Sequence, residues 1–343
     1  MTPSPVLAVT DLGVAFRTGD SDHPVLSNVS FTIAPSEILG IVGESGSGKS
    51  VTAMAVMRLL GPQGRITGGT VELDGADITA LPEKAMLALR GRTVAMIFQE
   101  PMTSLNPLLT VGFQIAEVLR EKLLLGRAEA RARAVTLMRN AGIPSPVQRA
   151  DDYPHMLSGG MRQRIMIAIA MACEPRLLIA DEPTTALDVT IQAQILDMMA
   201  ELRHRHGAAI MLITHDMGVI ARMADRVLVM YAGEVVECAP IAEMFARPAH
   251  PYTRLLMAAI PTARRKVANL PSIPGVMPSP GRPPSGCRFH PRCPMAIDIC
   301  RTRPPLLRAF QAGRISRCHR AEEMLGLQPT DTLAATAMLG AAP

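Results

Sequence analysis

"GESGSGKS", Gly43 to Ser50, closes the apolar run "EILGIVG" and opens a segment with helical periodicity. The eight residues fit the pattern G-x-x-x-x-G-K-[ST], which between a strand and a helix is a phosphate-binding loop. Its glycines let backbone N–H groups curl around phosphates at a helix N-terminus. Lys49 supplies a cation to the outer phosphates, and the Ser50 hydroxyl is a candidate magnesium ligand. Gly43, Glu44, Ser45, Gly46, Ser47, Gly48, Lys49, Ser50 and Val51 are therefore the candidate nucleotide-binding residues.

The chain around the loop has room for one large domain and a smaller appendage, with 343 residues and 48% hydrophobic content. Its net charge of +5 suits nucleic acid, an anionic membrane surface or a nucleotide, and does not choose among them. Only 3% of residues are aromatic and none is Trp, so base-stacking platforms are poorly supplied. The N-terminal "MTPSPVLAVTDLGVAF" has no basic segment ahead of an apolar run and does not read as a secretory signal. The longest apolar run, Ile165 to Cys173, is about half the roughly 20 residues of a membrane helix. A cytosolic protein that does not span the bilayer is expected.

Alternating segments, "VLAVTDLGVAF", "VLSNVSFTI" and "GTVELDG", predict antiparallel strands near the N-terminus, with Asp74-Gly75 at a turn. Wholly apolar runs, "EILGIVG", "TVAMIF", "RLLIAD", "AIMLITH" and "RVLVMY", predict buried parallel strands. Helical segments lie between them, an α/β order. Residues 101–171 are mostly helical, an inserted helical subdomain within a nucleotide-binding domain of residues 1–240. Residues 241–286 read as a connecting helix and a proline-rich linker, "LPSIPGVMPSPGRPPSG". A cysteine-rich C-terminal domain over 287–325 and a tail over 326–343 follow. "VLVMYAGEVVE" reads as a structural hairpin with Gly233 at its turn.

Two further stretches carry chemistry. "RLLIADEP" is a buried strand that delivers Asp181 and Glu182 to the phosphate edge of a sheet, Asp181 to hold magnesium and Glu182 to deprotonate the attacking water. "LSGGM", Leu157 to Met161, places Ser158, Gly159 and Gly160 at a second helix N-terminus suited to an anion.

The order phosphate loop, "FQE", "LSGGMRQR", "LLIADEPTTALD", "ITHD" resembles the nucleotide-binding domains of ABC transporters. "VGESGSGKS", "FQEPMTSLNP", "YPHMLSGGMRQR" and "HPYTRLLMAAIP" are similar, nearly word for word, to the ATP-binding subunits of bacterial oligopeptide and dipeptide importers, from about Leu7 to about Arg320. The resemblance implies a P-loop NTPase cassette: a RecA-like core, an N-terminal antiparallel β-subdomain and the inserted helical subdomain. It implies ATP and Mg2+ as cofactors. Gln99 becomes the glutamine that senses magnesium and the membrane partner, and Ser158 to Gly160 the binder of the γ-phosphate held by the opposite subunit. Asp188 lies in the loop crossing the dimer interface, His215 is the switch histidine on the γ-phosphate, and Phe16 is the aromatic that stacks on adenine. Lys49, Glu182, His215 and Gln99 form the candidate catalytic set, with magnesium held through Ser50, Gln99 and Asp181.

By the same resemblance the chain is an active ATPase on the cytoplasmic side of the bacterial inner membrane. Its implied partners are a second, homologous ATPase subunit in a heterodimer, two permease subunits and an extracytoplasmic solute-binding protein, with no nucleic acid. Import of di- or oligopeptides is the leading function, with nickel, glutathione or an opine as alternative solutes and a soluble ATPase on nucleic acid as the alternative class.

Four cysteines remain: Cys287, Cys293 and Cys300 in "GCRFHPRCPMAIDIC", and Cys318 in "RISRCHR". Their spacings are C-x5-C, C-x6-C and C-x17-C, and four thiolates are a complete set for either Zn2+ or an iron-sulfur cluster. The nine arginines and one acid, Asp298, between Arg282 and Arg320 would favour thiolates around an anionic cluster. The family resemblance implies a [4Fe–4S] cluster, with zinc as the alternative. Cys173 and Cys238 are expected to be core or incidental.

Overall fold

The computed structural model describes residues 4–99, 104–184, 188–259, 273–310 and 313–326. The expected tail beyond Gly326, the end of "FQEPM" with Thr103, and Thr185 to Leu187 of "LLIADEPTTALD" lie outside the described residues.

Among the described residues twelve strands run in chain order: β1 (Leu7–Thr18), β2 (Ser21–Ile33), β3 (Ile38–Val42), β4 (Gly64–Leu73), β5 (Ala76–Asp77), β6 (Val94–Ile97), β7 (Leu177–Asp181), β8 (Ala209–Ile213), β9 (Arg226–Tyr231), β10 (Glu234–Pro240), β11 (Arg308–Phe310) and β12 (Arg314–Ser316). The chain divides into two compact units. One comprises the described residues of Met1–Ile33, Ile38–Thr79 and Thr214–Pro343, the other Ala34–Glu37 and Ala80–Ile213.

In the first unit, β2, β1, β4 and β5 form an antiparallel sheet in that order. The alternation of "VLAVTDLGVAF" buries Leu7, Val9, Leu12 and Val14 on one side, and positive φ at Asp74 (50°) and Gly75 (77°) turns β4 into β5. A second group runs β11, β12, β10, β9 and β3, with β3 parallel to β9 and the rest antiparallel. Every residue of β3, "ILGIV", is buried, as a strand covered on both faces requires.

In the second unit β6, β7 and β8 are parallel, and β7 and β8 are wholly buried. Helices Val111–Leu123, Arg127–Asn140, Pro146–Arg149 and Gly159–Ala170 occupy the stretch between β6 and β7. Among the described residues no helix is long and apolar enough to cross a membrane.

The separate cysteine-rich domain expected near the C-terminus is not supported. Ser316 of β12 pairs with Glu237 of β10, and Phe289 and Phe310 are buried in the same unit as the phosphate loop. Of the segment's large apolar side chains, Phe289 packs with Tyr231 and Tyr252, while Phe310 and Leu325 form a small cluster that includes Ala249 from outside the segment. Pro278, Pro280, Gly281 and Pro283 line a small hollow with Pro24 and Val25 of β2 and Gly46 of the loop.

Candidate nucleotide site

The phosphate loop joins β3 to helix Lys49–Val56. Gly43, Gly46 and Gly48 have φ of 154°, 81° and 103°. A Cβ on Gly43 would lie 2.3 Å from the Met230 carbonyl oxygen, and one on Gly48 would lie 2.6 Å from Leu26 Cδ2. The backbone therefore lies closer to β9 and β2 than any side chain permits. Lys49 is buried, and its ammonium donates to the Gly43 and Glu44 carbonyls at 2.8 and 3.0 Å. The buried Ser47 hydroxyl has no hydrogen-bond partner among the described residues. Ser45 and Gly46 are exposed, while Ser50 and Val51 are half-buried. A curled loop with an orphaned hydroxyl and a lysine on its own carbonyls fits a phosphate chain.

The loop is held from a part of the chain that sequence reasoning did not connect with it. Glu44 N–H donates to the Tyr252 hydroxyl at 2.9 Å. Its carboxylate receives both Arg292 Nη atoms, at 2.6 and 2.9 Å. Arg292 is only 5% exposed and Glu44 30%, so this bidentate pair is not the solvent-facing kind worth about 0–1 kcal/mol. Tyr231, Tyr252 and Phe289 form an aromatic cluster beside it, with ring centroids 4.7 to 5.2 Å apart. Burial pushes both tyrosine hydroxyls above the usual range. The Gly233 turn, expected to be structural only, donates its N–H to the Ser47 carbonyl at 2.9 Å. Nothing local in "HPYT" or "HPR" marks Tyr252 or Arg292 as partners of the loop.

In the second unit, Asp181 is the buried last residue of β7. Glu182 follows at φ 49°, with its N–H donating to Ile213 O at 2.8 Å. A left-handed non-glycine residue costs about 1–3 kcal/mol and collects at functional positions. Gln99 is exposed beyond the end of β6. The residues expected at a second helix N-terminus have the clearer geometry. Ser158 caps helix Gly159–Ala170, accepting from Met161 N at 3.3 Å, and Asp188 caps helix Val189–His206, accepting from Ile191 N at 2.9 Å. Both caps line one open pocket of about 490 Å³ with Gly159, Gly160 and Arg164. The structure thus brings Ser158 to Gly160 and Asp188 together.

In the first unit, His215 is exposed after β8 and precedes Asp216, whose carboxylate caps the next helix through Gly218 and Val219. Phe16 is half-buried on β1 and pairs with His23 and Gly64. For magnesium, a carboxylate, a hydroxyl and an amide (Asp181, Ser50, Gln99) are the hard oxygen donors that ion takes.

The metal expected at the cysteines is withdrawn: neither the iron-sulfur, [4Fe–4S] reading nor Zn2+ is supported at Cys287, Cys293, Cys300 and Cys318. Among the described residues no three His, Cys, Asp or Glu side chains are grouped to hold a metal ion. Cys318 instead packs with Ala249, Phe310, Ala321 and Leu325 as an apolar residue. Burial pushes the Cys287 and Cys318 thiols up to about 11 and about 12.

A buried pair at the "HPYT" helix carries its own prediction. Glu237 accepts from Ala249 N and His250 N at 2.6 and 2.9 Å, and burial pushes its pKa from 4.5 to about 7. His250 accepts from Tyr252 N at 3.1 Å, and burial lowers its pKa from 6.5 to about 3. Glu237 is raised, so its contribution to stability is full below about pH 4.5 and is lost as pH rises through about 7. His250 is depressed, so its contribution is present above 6.5 and is lost as pH falls toward 3. His250→Asn keeps a cap acceptor and removes the second titration. Relative to wild type, it should gain about 2 kcal/mol in urea unfolding between pH 7.5 and pH 5. An unchanged gap would show that His250 is not held neutral.

Residues 26–185 match the family model described as ABC transporter, and residues 236–300 that described as Oligopeptide/dipeptide transporter, C-terminal region. The chain is 48% identical to the Bacillus subtilis oligopeptide transport ATP-binding protein AppD, over 93% of this chain and 98% of that one. It is 47% identical to the Escherichia coli dipeptide transport ATP-binding protein DppD, over 92% and 96%. Among solved structures, the dimeric ATP-binding cassette MJ0796 bound to ADP and Pi is similar, with TM-score 0.62 and 29% identity. It covers 68% of this chain and 98% of its own.

Proposed function

Because the chain belongs to the ABC transporter family, whose ATP-binding proteins are ATPases coupled to transport, we propose that it powers uptake of di- and oligopeptides across a bacterial inner membrane. The observation that carries this is near-full-length identity to AppD and DppD, relatives named for oligopeptide and dipeptide transport. The match of residues 236–300 to the peptide-transporter C-terminal region supports it.

In this reading residues 1–240 are the cassette, with the antiparallel strands and the helices of 101–171 as its two subdomains. The loop from Gly43 to Val51 wraps the phosphates, Lys49 neutralises them, and Phe16 meets the adenine. Magnesium, when bound through Ser50, Asp181 and Gln99, neutralises charge on the outer phosphates. Glu182 takes the proton of the attacking water, and His215 holds the outer phosphate. Ser158 to Gly160, with Asp188 beside them, meet the nucleotide of a second, related ATPase chain. Gln99 passes the change to one of two permease subunits. The chain rests on the cytoplasmic face and receives solute from an external binding protein.

Proteoliposomes holding the chain, its sister ATPase and the permease pair test this. A di- or oligopeptide presented on its binding protein should raise ATP turnover several-fold. Stimulation by nickel or glutathione instead would overturn the peptide reading.

A further inference from the structure

We propose that Arg292 and Arg288, from the C-terminal segment, are positioning residues that set the shape of the phosphate loop from outside it. The inference rests on reading Gly43 to Ser50 as the ATP site.

All five N–H donors of Arg292 are engaged. Nε donates to Pro274 O at 2.8 Å and Nη2 to Ile273 O at 3.3 Å. Nη1 reaches the Tyr231 hydroxyl at 3.4 Å, and the remaining two donors hold both Glu44 carboxylate oxygens. Nothing is left for a phosphate, so Arg292 acts through Glu44. A planar fork on both oxygens fixes the carboxylate in orientation as well as place. The Tyr252 hydroxyl fixes the backbone of the same residue. Glu44 is thereby held at both ends, immediately after the glycine that starts the loop.

Arg288 works by a second route. Its Nη2 donates to Ser27 Oγ at 2.9 Å, its Nη1 to the Ala232 carbonyl, and its Nε pairs with Glu234 at 3.2 Å. These contacts pin the turn whose Gly233 N–H holds the Ser47 carbonyl at 2.9 Å. The turn has no room to slip, since a Cβ on Gly233 would lie 2.0 Å from Val25 O. The two arginines therefore brace the loop at Glu44 and at Ser47, on either side of Ser45 and Gly46.

Titrating the full chain with a fluorescent ATP analogue tests the proposal, with thermal melting alongside. Arg292→Gln should weaken binding about tenfold, or about 1.4 kcal/mol. In the assembled ATPase it should raise KM and leave kcat nearly unchanged. Arg292→Lys should recover part of the loss, and Glu44→Gln should reproduce it. The double variant Glu44→Gln/Arg292→Gln should bind no worse than the weaker single variant, because the two act as one unit. Arg301→Ala, exposed in the same segment, should bind as wild type. Normal affinity in Arg292→Gln beside a lowered melting temperature would reduce Arg292 to a staple and overturn the proposal. If Arg292→Gln does not fold, Glu44→Gln decides alone, and wild-type affinity there overturns it. Wild-type binding by a Lys49→Ala control would instead refute the nucleotide site itself.

Discussion

Glu182→Gln is expected to lower ATP turnover of the assembled transporter by about 10² to 10⁴, the contribution of a well-placed general base. Glutamine keeps the side-chain volume and the N–H bond to Ile213 O, but its amide does not accept a proton. Nucleotide affinity should therefore stay within a few-fold of wild type while phosphate release nearly stops. Turnover close to wild type would remove Glu182 from the role. Glu182→Gly sharpens the test: φ of 49° suits glycine better than glutamate. That variant should be equally inactive yet at least as resistant to heat, which separates lost chemistry from lost folding.

Lys49→Ala is expected to weaken ATP binding by about a hundredfold or more, as loss of charge-assisted hydrogen bonds to phosphate implies. The effect is compounded because the ammonium also holds the Gly43 and Glu44 carbonyls at 2.8 and 3.0 Å. Without it two carbonyls at the mouth of the loop lose their partner. Equilibrium binding with a fluorescent nucleotide, beside an unchanged far-ultraviolet circular dichroism spectrum, measures this. Retained affinity would show that the loop is not the phosphate site.

The loop was legible because its causes are local. Two glycines at fixed offsets, a third between them, a lysine and a flanking apolar strand fall within about a dozen residues, and the structure places positive φ at those glycines. The buried strands were legible for a similar reason: the apolar runs of β3 and β8, and of β7 up to Asp181, leave no polar face. The brace at Glu44 was not, because its partner lies 248 residues away.

The cysteine segment misled in an instructive way. Nine arginines among few acids looked like positive charge gathered around thiolates. The arginines in fact reach carboxylates beyond the span that was counted: Arg292 to Glu44, Arg314 to Glu243, Arg308 to Glu322 and Arg320 to Glu323. Local charge counts do not see such partners. Ser158 and Asp188 show the converse. Each was read in its own motif, and only the fold shows their two helix ends lining one pocket.

The separation of 248 residues between Glu44 and Arg292 also sets an order of events during synthesis. The P-loop leaves the ribosome early, and domains fold from the N-terminus as they emerge at about 5–20 residues per second. At that rate a nascent chain holds the loop without Arg292 for about 12 to 50 seconds, and Tyr231 emerges ahead of its Phe289 neighbour. Any messenger or ribosome defect that ends translation near Pro240 would release an unbraced loop with Tyr231 stripped of both ring neighbours, Tyr252 and Phe289. Quality-control proteases would meet this late-closing seam first.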